Sequence, residues 1–383
     1  MRVSSLHTLA AALLLTVAGT AAAQIKIGAV LSMTGPAASL GIPARNTIAL
    51  LPHEIGGQPV QYIVLDDASD TTAAVRDTKK LINDDHVDAI IGSSITPNSL
   101  AMIDVVAEGK TPMISLASSA HIIEPMDAKR AWVFKTPQTD TQMASAIVQH
   151  ASDHGVKTLA YIGQNDALGQ SFYDAIAKFA ALHQIKIVAN ERFNRTDPSV
   201  LGQVLHLLEV KPGAVVVGAA GTPAALPPRT LVERGYKGLI YHNYGVANND
   251  FLRVCGADCN GTYLAASPVV VAAQLPDNNP AKAPALHYTK VYDGKYGPGS
   301  VSEFGSYTWD AGLLLQHAIP QALKTAKPGT VAFRQALRDA LESTDGLHVS
   351  NGVVNMSKTD HQGLDQRSRV MVEIEHGKWV LVK

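Results

Sequence analysis

Short apolar runs ended by glycine, proline or hydroxyl residues recur along the chain, and apolar residues at helical spacing follow most of them. Residues 25–31 (IKIGAVL) read as a strand entering the loop SMTGPAASLG, with a helix expected over 44–51. A strand over 60–65, the acidic turn Asp66-Asp67-Ala68-Ser69-Asp70 and a helix over 71–83 come next. The run 87–91 (VDAII) then reads as a buried strand ended by Gly92. Ser93 and Ser94 follow it, with Thr96 expected as a helix N-cap and Pro97 at the first helical position. A further strand over 112–116 ends in Ala117-Ser118-Ser119-Ala120. This alternation predicts a parallel, doubly wound sheet whose loops at the carboxyl ends of the strands form a crevice.

The pattern then restarts. Helices are expected over 144–154, from about Ser171, near 200–208 and after Thr222-Pro223. Strands are expected over 158–162, 185–189, 214–218 and 238–241, the last leading into HNYGVAN. Beyond a Pro/Asn/Ala-rich connection at 268–284, helices read over 285–296, 307–323 and 331–341, and strands over 353–356, 370–375 and 379–382. These late segments hold too few strands for a third domain, so they complete two similar lobes and the chain crosses between them repeatedly.

The 383 residues carry a formal net charge of −1, which gives no basic footprint for nucleic acid or acidic membrane. Arg2, the apolar stretch 9–19 and Ala21-Ala22-Ala23 have the order of a secretory signal peptide cut before Gln24. The mature protein is therefore expected outside the cytoplasm. In such an oxidising compartment Cys255 and Cys259, both in CGADC, are expected to close a local disulfide in a loop.

Two hydroxyl-rich turns, around Ser93-Ser94-Thr96 and Ala117-Ser118-Ser119, end successive strands of one sheet. Free N–H groups and hydroxyls at a helix start suit a carboxylate, although helix capping uses the same residues. The chain has no G-x-S-x-G elbow, Walker loop or G-x-G-x-x-G fingerprint, and no histidine cluster with metal spacing. His121 near Ser119 reads as a structural or solvated residue. In a chain with 5% aromatics, Phe304, Tyr307 and Trp309 stand together, with core packing as the default reading. Tyr244, in a loop after a strand, is expected to cover a ligand with its ring and bond it through its hydroxyl.

SMTGPAASLG, LDDASD, IGSSITP, ISLASSA, YIGQNDALGQS and YGVAN, in that order, resemble the leucine/isoleucine/valine-binding family, the periplasmic substrate-binding proteins of branched-chain amino acid ABC transporters. The resemblance spans residues 24–383 and implies the type I periplasmic binding protein fold: two Rossmann-like α/β lobes with parallel sheets joined by a three-crossover hinge. It implies lobe 1 over 24–138 and 267–368 and lobe 2 over 139–266 and 369–383. It implies a monomer in the periplasm that binds a small carboxylate in the inter-lobe cleft, without enzyme activity or cofactor. Its partner is then an ABC permease in the inner membrane, and a sensory module docking on a receptor is the alternative.

Carried over by motif, the carboxylate turns fall on Ser93, Ser94 and Thr96 and on Ala117, Ser118 and Ser119. Leu40 and Phe304 fall at the pocket wall, and Leu168, Gly221, Thr222 and Tyr244 come from the second lobe. Where amino-acid binders of the family carry an acid to receive the ammonium, this chain has Tyr244, and their second-lobe tyrosines appear as Leu168 and Gly221. A buried ammonium without an anionic partner is costly. The resemblance therefore points to the aromatic-acid-binding subgroup, with an aromatic acid or aromatic 2-oxo acid as ligand. A branched-chain amino acid remains the alternative, its ammonium meeting another acid such as Asp166.

Overall fold

The computed structural model describes residues 24–382. The expected signal peptide lies outside these residues. The chain begins with β1 (Ile25–Leu31), α1 (Ala38–Ile48), β2 (Glu54–Ile55), β3 (Gln58–Asp66), α2 (Thr71–Asn83), β4 (Ala89–Gly92), α3 (Thr96–Glu108), β5 (Met113–Ser115) and β6 (Val133–Lys135). These strands form one sheet in the order β2-β3-β1-β4-β5-β6. All neighbours are parallel except the short β2, which pairs antiparallel with β3.

The second lobe runs through α4 (Asp140–Asp153), β7 (Thr158–Gln164), α5 (Ala167–Leu182), β8 (Lys186–Phe193), α6 (Leu201–Glu209), β9 (Ala214–Gly218), α7 (Leu226–Glu233), β10 (Leu239–His242), α8 (Asn249–Cys255) and β11 (Tyr263–Ala266). After α9 (Lys282–Tyr296), α10 (Glu303–Ala322), α11 (Val331–Glu342) and a small hairpin of β12 (Leu347–Val349) and β13 (Gly352–Val354), the chain returns as β14 (Val370–Glu375) and β15 (Lys378–Leu381). The second sheet has the order β15-β14-β11-β10-β9-β7-β8. Its parallel part, β8-β7-β9-β10-β11, repeats the order β3-β1-β4-β5-β6 of the first, so both lobes are doubly wound α/β units. The last two strands depart from the expected parallel sheet, adding antiparallel to β11 and to each other.

Each sheet is covered on both faces, which explains why its central strands are apolar at nearly every position. One face of the first sheet packs against α1, α10 and α11 through residues such as Ile27, Ile91, Leu314 and Phe333, all nearly inaccessible to solvent. The other face meets α2 and α3 through Leu81, Met102 and Val106. In the second lobe, Ile147, Phe172 and Ile176 of α4 and α5 cover one face, and Val204, Leu231 and Phe251 of α6 to α8 cover the other. The 268–284 connection is a 3-10 segment over Pro268–Gln274, packed against α9.

Cys255 and Cys259 are bridged, with Cα atoms 5.7 Å apart. The bridge ties the last residue of α8 to the following 3-10 turn, so it staples a helix end where a loop was expected. Among the described residues no helix is long and apolar enough to cross a membrane.

Candidate functional site

In both lobes the carboxyl ends of the parallel strands face one cavity. It is lined from lobe 1 by Leu40 and by residues after β4, β5 and β6. Lobe 2 contributes residues after β7, β8, β9 and β10, and the start of α10 adds Phe304 and Tyr307.

The turn after β4 differs from expectation in an informative way. Thr96 is the first helical residue of α3 and not its cap; the cap position is Ile95, whose side chain cannot accept a hydrogen bond. The hydroxyl of Thr96 is therefore released from capping, and it is buried without a partner among the described residues. It lines the cavity beside Ser94, whose hydroxyl accepts from the Ser32 amide at 3.3 Å. Helix-start amides and an unspent hydroxyl are the kinds of group that suit an anion.

Ser93 points the other way. Its hydroxyl donates to Oδ2 of buried Asp67 at 2.6 Å, so it braces the turn and does not line the cavity. In the second turn Ala117 and Ser118 line the cavity, whereas Ser119 does not. Ser119 Oγ lies 2.7 Å from Ser171 Oγ of α5, which donates in turn to Asp140. It therefore spans the two lobes. Beneath this turn the fully buried Lys135 donates from Nζ to the carbonyls of Ser118 and, at 3.0 Å, Gln138. Burial pulls the Lys135 ammonium down to about 7, with Asp140 partly opposing the shift.

From lobe 2, Leu168 and Tyr244 line the cavity, and Gly221 and Thr222 do not. A Cβ on Gly221 would lie 3.3 Å from the Pro36 carbonyl, so this glycine allows close approach of the opposite lobe and leaves the cavity wall to Ala220. Tyr244 lines the cavity, but its hydroxyl donates to the Gln138 carbonyl at 2.8 Å and is not left to donate to a ligand. Phe304, Tyr307 and Trp309 divide between two tasks. Phe304 and Tyr307 form cavity wall, and Trp309 packs near Tyr288 with ring centroids 5.5 Å apart.

Arg195, just after β8, also lines the cavity. Nothing in the polar segment NERFNRTD marks it, because its burial comes from the approach of the other lobe. Asp166 caps α5 with Oδ1, accepting from the amides of Leu168 and Gly169 at 2.9 and 3.1 Å. Its Oδ2 pairs with Arg195, so Asp166 is committed twice and lies outside the enclosed cavity. No carboxylate is among the cavity-lining residues.

Glu303, just behind this wall, accepts from the Ser267 amide and the Tyr307 hydroxyl, each at 2.6 Å. Burial pushes its carboxyl up to about 8 against those hydrogen bonds. The folded state thus holds a proton that the unfolded chain releases above its ordinary carboxyl range, and this contribution to stability falls as pH rises toward 8. Glu303→Gln is expected to gain on the parent by on the order of 2 kcal/mol between pH 5.5 and 8.5, read from paired denaturant titrations. A constant gap between the two proteins across that range would show that Glu303 is ionised when folded.

A family model for periplasmic binding proteins matches residues 24–377. The chain belongs to that family. Its members are solute-binding proteins, and the match spans both lobes and every cavity element described above. The Leu/Ile/Val-binding protein BraC3 of Rhizobium johnstonii is 23% identical over an alignment of 389 positions, covering 98% of this chain and 99% of its own. An extracellular ligand-binding receptor from Rhodopseudomonas palustris HaA2 is 42% identical, with a TM-score of 0.90, covering 94% of this chain and 100% of its own. A solute-binding protein of an ABC transporter from R. palustris BisB5, solved in complex with 3,4-dihydroxybenzoic acid, shares the fold at 20% identity and a TM-score of 0.78, covering 94% of this chain and 96% of its own.

Proposed function

We propose that this periplasmic binding protein is the solute-binding component of an ABC importer for a small carboxylate without an amino group, an aromatic acid or aromatic 2-oxo acid. One observation carries the reading: the cavity offers anion-binding groups and apolar walls but no carboxylate for an ammonium. Asp166, the acid that could have replaced the missing one at Tyr244, is engaged by the start of α5 and by Arg195. Leu40, Leu116, Leu168, Phe304 and Tyr244 supply walls suited to a ring.

In this reading the lobes, 24–138 with 267–368 and 139–266 with 369–383, close on the ligand about a three-crossover hinge. The closed form is presented in the periplasm, by a monomer, to a permease in the inner membrane. The neighbour bound to 3,4-dihydroxybenzoic acid supports the ligand class, and the curated relative's name supports the amino-acid alternative.

A thermal-shift screen of the refolded mature protein separates them. Benzoate, 4-hydroxybenzoate and phenylpyruvate are expected to raise the melting midpoint, because a ligand at 1,000 times its Kd stabilises the folded state by about 4 kcal/mol. Leucine, isoleucine and valine are expected to leave it in place. Shifts from these amino acids alone would replace the proposal with the branched-chain reading.

A further inference from the structure

Arg195 stands at a boundary. It lines the enclosed cavity together with Ser94, Ile95 and Thr96, and it also lines an outer polar groove that includes Ile95, Pro97 and Asn98. The guanidinium of lobe 2 therefore faces the start of α3 in lobe 1 across the mouth of the cleft. Its side chain is only 13% exposed. Asp166 Oδ2 lies 2.9 Å from Nε and 2.9 Å from Nη2. Nε makes the well-aligned hydrogen bond and Nη2 shares the same oxygen only as an ion-pair contact, while Nη1 is buried with no acceptor among the described residues.

A guanidinium carries five N–H donors in a rigid plane, and leaving several of them buried and unmatched is costly. Held by Asp166, Arg195 lines the cavity, where Thr96 Oγ1 and Asn243 Nδ2 are also buried without a partner among the described residues. Unspent donors thus come from both lobes to the same cavity, the Arg195 guanidinium opposite the Thr96 hydroxyl among them. A single carboxylate satisfies both, since it accepts a planar pair of N–H bonds on one side and a hydroxyl and helix-start amides on the other.

We propose that Arg195 and the Thr96 turn clamp one ligand carboxylate between the lobes, so that the ligand's own charge seals the cleft mouth while its ring points inward. This assignment rests on the function proposed above and narrows its ligand class. The ligand is an ionised acid whose carbon next to the carboxylate bears no cationic group, because an ammonium there would lie beside the guanidinium. A coplanar 2-oxo oxygen fits the same plane of donors. Asp166 is a positioning residue that fixes the guanidinium.

The test uses calorimetric titration of the full mature chain with benzoate, 4-hydroxybenzoate and phenylpyruvate, each beside its amide. The parent is expected to prefer every acid to its amide. Arg195→Met is expected to weaken the acids at least about 30-fold and the amides little, collapsing that preference. Arg195→Lys, which keeps the charge but loses the planar fork, is expected to recover only part of it and serves if the methionine variant folds poorly. Combined with Thr96→Val, Arg195→Met is expected to cost less than the product of the two separate losses, because both groups hold the same oxygens. Undiminished acid binding by both Arg195 variants would overturn the clamp and leave the proposed function standing. A loss confined to 4-hydroxybenzoate would place Arg195 at the ring end and overturn the carboxylate assignment. If no acid binds the parent protein, the proposed function falls and the clamp with it.

Discussion

Gly92→Ala is expected to destabilise the protein by about 3–5 kcal/mol and to remove ligand binding at temperatures where the parent still binds. Gly92 sits at φ +128°, a region that side chains rarely adopt. A Cβ there would stand 2.0 Å from the backbone carbonyl of Val30. That carbonyl cannot retreat, because β1 is held on one side by β3 and on the other by β4 itself. Strain and overlap therefore add, and both fall on the residue that leads into Ser93 and Ser94. Gly57→Ala is the matched comparison: its φ is +75° and nothing lies within 4 Å of the added carbon. It is expected to cost only about 1 kcal/mol, the conformational part alone. Denaturant titration of both variants checks the contrast, and equal losses would mean that the Val30 contact is relieved by movement of β1.

Asp140→Ala is expected to cost a similar amount, about 3–5 kcal/mol, and to weaken lobe closure. Asp140 opens α4 and is almost fully buried. One carboxylate oxygen accepts from the amides of Ala120 and Thr141 at 3.1 and 3.0 Å, and the other accepts from the Ser171 hydroxyl that meets Ser119. Removing it strands three donors and also deletes the main charge that offsets buried Lys135. Asp140→Asn, which retains one acceptor oxygen but no charge, is expected to fall between the parent and alanine. Small-angle scattering of the unliganded protein is expected to show a more open Asp140→Ala particle. An unchanged scattering profile would confine Asp140 to the stability of its own lobe.

Much of the architecture was legible because the strands are short, apolar and bounded by turn residues. The helix over 71–83 and the strands over 214–218 and 370–375 fall where the pattern places them. Two parallel strands escaped. Val133–Lys135 is only three residues long, and Tyr263–Ala266 ends in two alanines with little apolar bulk, so neither carries a periodic signal. The site was legible at the level of turns and less so at the level of side chains. Ser93 and Ser94 are adjacent in sequence yet serve Asp67 and the cavity respectively, because neighbouring side chains project differently from one turn. Arg195 and Gly221 depend on the opposite lobe for their surroundings, and no local pattern encodes which distant segment will approach.

The antiparallel addition of β14 and β15 to the second sheet sets a timetable for biogenesis. Tyr263 of β11 pairs with Glu373 of β14, and the intervening chain carries helices that cover the first sheet. As the chain is synthesised from its N-terminus, β7 to β11 are available long before the strand that covers their edge. The exposed edge of β11 must wait for nearly the last residues, a long-range closure of the slow kind. Until then it can pair with a neighbouring chain, which makes the interval before β14 docks the period of greatest exposure to misassembly.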